Sequence, residues 1–285
     1  MTQTTTVPEI VALKSRLKAT WEDGNYDYFS RFMEAGAVEF LDRLNIPNGA
    51  SLLDVACGSG QLALIAARRG ARVTGVDIAA NAIQAARGRA RVEGLDARFD
   101  EGDVEALPYA DASFDVVASL YGAMFAPRPD LTASELLRVC RPSGTIAMGN
   151  WTPQGFIGTM FKTFARFIAP PGMPSPVLWG DERSVSERLG SGLAQLRTTR
   201  VNYRFDYPFT PEGVVEFFRE NYGPTTRAFA TLSDTDQAAL HADLVNLWSS
   251  NNKAVEPGRT IVDAEYLEVV GLRSSTTDLN NKRVF

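Results

Sequence analysis

The chain has 285 residues, 45% of them apolar and 22% charged, with a formal net charge of −5 and a pI near 5.1. That length suits one elaborated domain with a sizeable core, and the acidic balance argues against a nucleic-acid partner, which would need clustered Lys and Arg. No apolar run reaches the ~20 residues that span a bilayer, the polar start Met1–Pro8 carries no export pattern, and Cys57, Cys140 and the lone His241 make neither a disulfide framework nor a metal cluster. The expectation is a cytoplasmic protein with no metal and no membrane span.

In chain order, Ile10–Leu44 reads as helical, broken in the middle by Trp21-Glu-Asp-Gly-Asn-Tyr-Asp-Tyr-Phe29. Turn chemistry at Pro47-Asn-Gly-Ala50 leads into a strand at Ser51–Val55, a helix at Gln61–Arg69 closed by Gly70, and a strand at Arg72–Asp77. A helix at Asn81–Glu93 closed by Gly94 follows, then strands at Ala97–Asp100 and Phe114–Ser119 and a helix at Leu131–Cys140. The basic run Arg87 to Arg91 falls on a solvated helix face. Arg141-Pro-Ser-Gly144 reads as a break before the strand Thr145–Asn150. Beyond it, Trp151–Gly180 is rich in Pro, Gly, Phe and Met and reads as an inserted helix plus loop. A helix at Ser184–Leu189, a strand at Thr198–Tyr207, helices at Pro211–Asn221 and Asp234–Ser250 and a strand at Ile261–Leu272 complete the series. Asp278–Phe285 is too polar to assign. The alternation of strand and helix implies a parallel sheet with helices on both faces and ligands at the carboxyl ends of its strands, where Asp54, Asp77, Asp103 and Ser119 fall.

The stretch Ser51-Leu-Leu-Asp-Val-Ala-Cys-Gly-Ser-Gly60 carries the most information. An apolar strand ends in an acid and a glycine-rich turn, and a helix begins at once. Glycines admit close approach of a ligand, the helix N-terminus offers unpaired N–H groups, and an acid about twenty residues on is placed to accept ribose hydroxyls. Asp77 is that acid. Gly58-x-Gly60-x-x-Ala63 also satisfies the dinucleotide fingerprint, which leaves an NAD(P)-dependent oxidoreductase as the alternative. Against it, the Asp54 carboxylate would repel a diphosphate, and no Tyr in the chain has a Lys four positions later. An acid-rich nucleoside pocket suits S-adenosylmethionine, which carries a sulfonium, an ammonium and no phosphate.

Five motifs occur in order: Asp54-Val-Ala-Cys-Gly-Ser-Gly60, Val76-Asp77, Gly102-Asp103-Val-Glu-Ala-Leu-Pro108, Ser113-Phe-Asp-Val-Val117 and Leu137-Arg-Val-Cys-Arg-Pro-Ser-Gly144. Over roughly Trp21 to Pro153 the chain resembles class I S-adenosylmethionine-dependent methyltransferases of the small-molecule type, similar to those of ubiquinone and menaquinone biosynthesis. It departs from the pattern in having Ala56 where the first loop glycine usually stands. The resemblance implies that Asp54 orients the methionine ammonium, and that backbone at Ala56, Cys57, Gly58 and Gly60 lines the methionine and ribose. It further implies that Asp77 accepts from both ribose hydroxyls, Ile78 packs on the adenine, Asp103 accepts from the adenine amino group, the Val104 N–H reaches a ring nitrogen, and Ser119 lies near the sulfur.

The expected fold is α/β, Rossmann-like and doubly wound, a mostly parallel seven-stranded sheet with helices on both faces and an inserted helical cap. Residues 46–150 would form the cofactor-binding core, completed by 183–207 and 259–285, with cap segments at 1–45, 151–182 and 208–258. Methyl transfer is an in-line displacement that depends on alignment and on excluding water. Of the many aromatics available for a lid, Tyr26, Tyr121 and Trp179 are the expected walls of the acceptor pocket. The catalytic residue is unknown: a general base is needed only for some acceptors, and neither His241, Asp27 nor the tyrosines can be ranked. The Asn/Asp-Pro-Pro-Tyr signature of amino-methylating enzymes is replaced by Ser119-Leu-Tyr-Gly122, and no Pro-Cys nucleophile occurs, so the expected acceptor is a small organic molecule. A non-catalytic S-adenosylmethionine-binding protein is the second alternative, and a homodimer stays open.

Overall fold

The computed structural model describes residues 7–275. Three helices precede the sheet: α1 (Val7–Trp21), α2 (Tyr26–Arg31) and α3 (Glu34–Leu44). The break between α1 and α2 falls within the stretch the sequence marks but is shorter, residues 22–25, since Tyr26–Phe29 already belongs to α2. Gly24 turns the chain at φ +72°, and the Asn25 side chain caps α2 by accepting from the Tyr28 N–H at 3.1 Å.

Strand and helix then alternate: β1 (Ser51–Val55), α4 (Gln61–Arg68), β2 (Arg72–Asp77), α5 (Ala80–Glu93), β3 (Ala97–Glu101), β4 (Phe114–Leu120), α6 (Pro129–Val139) and β5 (Cys140–Trp151). The last four residues of β1 are buried, as a strand covered on both faces must be. After β5 come α7 (Phe156–Phe164), α8 (Glu182–Leu189), β6 (Leu193–Tyr207), α9 (Pro211–Asn221), α10 (Gly223–Ala230), α11 (Asp234–Asn251) and β7 (Thr260–Arg273). Asp278–Phe285 lies outside the described residues.

The seven strands form one sheet in the order β3-β2-β1-β4-β5-β7-β6. β1 to β5 run parallel, and β7 lies antiparallel between β5 and β6. Chain order reverses between β1 and β4, the position where ligands enter doubly wound sheets. Register brings the carboxyl ends of neighbouring strands level, with Val55 opposite Val76 and Asp77 opposite Glu101. One apolar core joins α3, α4 and α5 to the sheet through residues such as Phe40, Leu62 and Ile83. The other joins it to α6, α8 and the helices after β5 through Leu136, Val185, Phe217 and Trp248.

Several element ends shift by one or two residues from the sequence reading, and three differences are larger. β5 starts at Cys140, because Arg141-Pro-Ser-Gly144 forms a bulge rather than a break: register shifts between Phe114 and Val116, and Ser143 takes φ +61°. An Arg141–Asp115 ion pair ties this bulge to β4. β6 starts at Leu193, since it is an edge strand whose outward residues are polar and hide its length. α10 was not expected at all, because Gly223-Pro224 reads as a turn. Proline is nonetheless well suited to the first turn of a helix.

Trp179 is corrected. It is 1% exposed and lies in the second core, not on a pocket wall. A Cβ on Gly180 would collide with the Trp151 carbonyl oxygen, so this segment packs backbone to backbone on β5, and the Arg188 guanidinium covers the indole at 4.7 Å. Trp179→Ala is therefore expected to lower stability by about 3–5 kcal/mol, measured by denaturant unfolding. Cofactor affinity at temperatures where the variant is folded should stay at the wild-type value.

Candidate functional site

The site is built on the turn between β1 and α4. Ala56, Gly58 and Gly60 adopt φ of +57°, +53° and +85°, a left-handed zigzag that swings the chain across the sheet end. Ala56 fits the family glycine position but does so in a conformation that costs an L-residue about 1 kcal/mol or more. Gly58 has no room for a side chain, because the Tyr26 ring would lie 2.7 Å from its Cβ. Gly60 faces the Phe99 ring and Ala86 behind the loop, so its glycine character serves helix–sheet packing.

Two buried acids hold this turn in place. Asp77 accepts from the Gly58 N–H through Oδ2 and from the Ala79 N–H through Oδ1, both at 2.8 Å, linking the loops that follow β1 and β2. Asp54, 2% exposed, accepts from the Ala63 N–H at 3.0 Å in the first turn of α4. Burial raises the pKa of both carboxyls against the opposing effect of these backbone donors, and Asp54 is pushed up to about 8. The Cys57 thiol is raised as well by burial, and the Cys57 N–H donates to the Val76 carbonyl, so this residue acts through its backbone.

Two cavities open beside the turn. The larger, about 750 Å³ and open to solvent, is lined by Asp77, Ile78, Asp103 and Val104 on the sheet side. The smaller, about 410 Å³, is lined by Asp54, Cys57, Ser30 and Gln61 among others. Ala56, Tyr26 and Tyr121 line both. Tyr121 also has a left-handed backbone, at φ +61°, and its ring stacks on Trp151 at a centroid distance of 3.9 Å and 9°. Next to it Gly122 leaves no space for a Cβ against the Ala56 carbonyl oxygen, so the ends of β1 and β4 interlock.

Of the expected site residues, Asp54, Ala56, Cys57, Gly58, Asp77, Ile78, Asp103, Val104, Tyr26 and Tyr121 line a cavity. Gly60, Ser119 and Trp179 line neither. The Ser119 hydroxyl is 2.7 Å from the Val55 carbonyl, to which it donates, and accepts from the Ala123 N–H at 2.9 Å; both its roles are taken by backbone. It braces β1 and β4 from behind the site.

Lys14 and Leu17 of α1 face the larger cavity although the sequence reading does not single them out; Trp21 and Phe125, among the aromatics available for a lid, line it too. Lys14, Leu17, Lys18 and Trp21 recur at helical spacing, a stripe that could have been read as one face. In the smaller cavity Gln61 donates to Ser30 and to Ser59, the latter at 2.8 Å, a cross-link between α2 and the loop that no local pattern announces. The base candidates lie elsewhere: His241 pairs with Glu216 at 2.9 Å on α11, and Asp27 accepts from Arg31 at 2.9 Å. Neither lines a cavity.

Comparison with known proteins gives this geometry a context. A family model described as a methyltransferase domain matches residues 53–148. The chain is 38% identical over 250 residues to the uncharacterised protein Rv1405c of Mycobacterium tuberculosis, spanning 86% of this chain and 89% of that one. It is 34% identical over 123 residues to the demethylmenaquinone methyltransferase of Thermus thermophilus, covering 42% of this chain and 56% of that protein. Among solved structures, phosphoethanolamine N-methyltransferase 2 of Haemonchus contortus in complex with S-adenosyl-L-methionine matches with a TM-score of 0.56. That match is at 18% identity and covers 85% of this chain and 53% of the other, a likeness of fold.

The raised pKa of Asp54 has a definite sign. The folded state keeps a proton up to about pH 8 that the unfolded chain releases near the ordinary aspartate value of 3.8. The folded state therefore binds more protons in between, and stability falls as pH rises through that window. Unfolding of the ligand-free protein followed between pH 5 and pH 9 should show this decline, approaching one proton in slope from this group. Asp54→Asn should flatten it.

Proposed function

The chain belongs to the class I S-adenosylmethionine-dependent methyltransferases and uses S-adenosylmethionine as its methyl donor; on that premise we propose that the acceptor is a small organic molecule, and that the two cavities divide the cofactor between them. The observation that carries this reading is that both cavities meet at Ala56, Tyr26 and Tyr121, with acids beyond the junction on each side. The adenosine occupies the larger cavity. Asp77 accepts from the ribose hydroxyls with the lone pairs its backbone donors leave free, Ile78 packs on the adenine, Asp103 accepts from the adenine amino group and the Val104 N–H reaches a ring nitrogen. The methionine end occupies the smaller cavity, with its ammonium toward Asp54 and its carboxylate toward Gln61 and Ser30.

In this arrangement the sulfonium lies at the junction, between the rings of Tyr26 and Tyr121. A positive sulfur beside aromatic faces is stabilised without being neutralised. The acceptor then approaches from the side of Trp21 and Phe125, where the wall is apolar, and its binding there displaces water from the reacting atoms. Attack on the methyl carbon opposite the C–S bond releases S-adenosylhomocysteine. Alignment alone can supply on the order of 7 kcal/mol of barrier reduction in favourable cases. Within the described residues, we assign 46–150, 183–207 and 259–275 to the cofactor-binding core, and 7–45, 151–182 and 208–258 to the cap that shapes the acceptor side; the rest of the expected segments 1–45 and 259–285 lies outside the described residues.

The dinucleotide alternative is disfavoured by one contact. The Ala63 N–H, in the helix turn where a pyrophosphate would be received, already donates to Asp54. A non-catalytic binding role is separated by product formation. Release of S-adenosylhomocysteine above the acceptor-free background, in a screen of phenols, quinols, amines and thiols, is the expected result. If no class of small acceptor raises it, the small-molecule assignment is wrong. For Asp77→Ala, cofactor binding should weaken by about 2–4 kcal/mol, or roughly 30-fold to 1,000-fold, read by calorimetry with S-adenosylmethionine. Wild-type affinity in that variant would displace the ribose from this position.

A further inference from the structure

α1 lies along the carboxyl ends of β2 and β3, over the larger cavity, and is attached in two different ways. At its C-terminal end the attachment is backbone packing. A Cβ on Gly223 would overlap the Thr20 carbonyl oxygen, one on Gly24 would lie 2.8 Å from the Asn221 carbonyl oxygen, and the Asn25 N–H donates to that same oxygen at 3.1 Å. Arg227 adds an ion pair to Asp23 at 2.6 Å. Such close packing has no slack.

Further up the helix the attachments are charged side chains. Lys14 pairs with Asp103 and, at 2.5 Å, with Glu105; Lys18 pairs with Glu101 and donates to the Ile78 carbonyl at 2.9 Å. Each partner belongs to the rim of the larger cavity or the loop beside it. Two of them, Asp103 and Ile78, also line that cavity. Lys14 therefore holds the carboxylate that the adenine amino group would share, while Leu17 and Trp21 complete the outer wall. Glu105 has a fully buried carboxylate and also accepts from Arg128, through Nε at 2.7 Å and the backbone N–H at 2.6 Å. It stays compensated when Lys14 departs, so opening leaves no buried charge alone.

We propose that α1 is a hinged outer wall of the nucleoside site, latched by Lys14 and Lys18, and that cofactor entry and S-adenosylhomocysteine release require this latch to break. The hinge is the pinned segment Thr20 to Asn25; the latched part is the face bearing Lys14, Leu17 and Lys18. The proposal depends on the larger cavity being the nucleoside site. Within that reading Lys14 and Lys18 are positioning residues: they act on the cofactor through Asp103, Ile78 and the placement of Leu17 and Trp21.

The test is the dissociation rate of radiolabelled S-adenosylhomocysteine from the full-length protein, chased with excess unlabelled S-adenosylmethionine. Lys14→Met and Lys18→Met should each speed release by about twofold to fivefold, the range expected for losing partly exposed ion pairs. Lys14→Arg should restore the slow rate, and thermal unfolding should move little in any of the three. Raising salt from about 50 mM to about 500 mM should speed release from the wild type and have much less effect on the double Met variant. Unchanged release in both Met variants, or faster release that only follows a drop in stability and is not rescued by Arg, overturns the latch. Failure of wild-type protein to bind S-adenosylhomocysteine at all would instead overturn the nucleoside reading beneath it.

Discussion

The Asp77 carboxylate is the tie on which the site depends. By accepting the Gly58 and Ala79 N–H groups it fixes the loop after β1 against the loop after β2, so two separate turns become one surface. The geometry around Gly58 follows from it. With Gly58 held left-handed and bare of a side chain, the Tyr26 ring can come down on its backbone, and α2 is placed over the sheet end. Asp54 performs the matching task for α4 by meeting its Ala63 N–H. Both acids are buried and carry a desolvation cost, which is tolerable because backbone donors converge on them.

A second interlock sets the far wall. Ala56 and Tyr121, at the ends of adjacent strands β1 and β4, both have positive φ, and Gly122 lets the two turns approach without a Cβ between them. Tyr121 is then clamped by its stack on Trp151 and by edge contacts with Tyr203 and Tyr266. Backbone strain persists only where the surroundings over-determine it, and here an aromatic core does so. The same core continues through Phe205, Tyr207, Phe217, Phe218 and Trp248 into the helices after β6. The aromatic richness of the cap thus serves mainly to fix its helices rigidly, and only a few rings reach the cavities. A reaction whose demands are alignment and dryness is well matched to such a frame.

Charge is divided by element. The strand ends supply acids, and the helix that covers them supplies lysines. The cover is thereby attracted to the site it closes, through contacts weaker and more exposed than the backbone packing that holds its other end. Strength at the hinge and weakness at the latch is the arrangement an exchangeable cofactor calls for.

Much of this was legible in the residue order. The strands β1 to β4, the capping Gly70 and Gly94 and the acids Asp54, Asp77 and Asp103 are local features, set by periodicity, turn chemistry and spacing, and they carry the methyltransferase resemblance. Chain length in β5 and β6 was less legible, because a bulge at Arg141–Gly144 resembles a break and an edge strand shows polar residues outward. α10 was hidden by a Gly-Pro pair that is a poor helix interior and a good helix start. Which of the small and aromatic residues meet the cavities could not be read locally. Gly60, Ser119 and Trp179 have the right chemistry in the right neighbourhood, yet Gly60 and Ser119 are engaged by partners distant in sequence, Phe99 and Val55, and Trp179 is buried in the core beneath the nearby Arg188. Lys14 and Ser30 enter the site for the converse reason, since α1 and α2 fold back over the sheet, and Ser30 there engages Gln61 at the start of α4. The sequence by itself determined the fold class, the methyl donor and the acids at the strand ends, because those follow from interactions between near neighbours along the chain. Only the tertiary structure decided which side chains form the walls and what covers the opening, because these depend on contacts between segments far apart in sequence, and no local pattern encodes them.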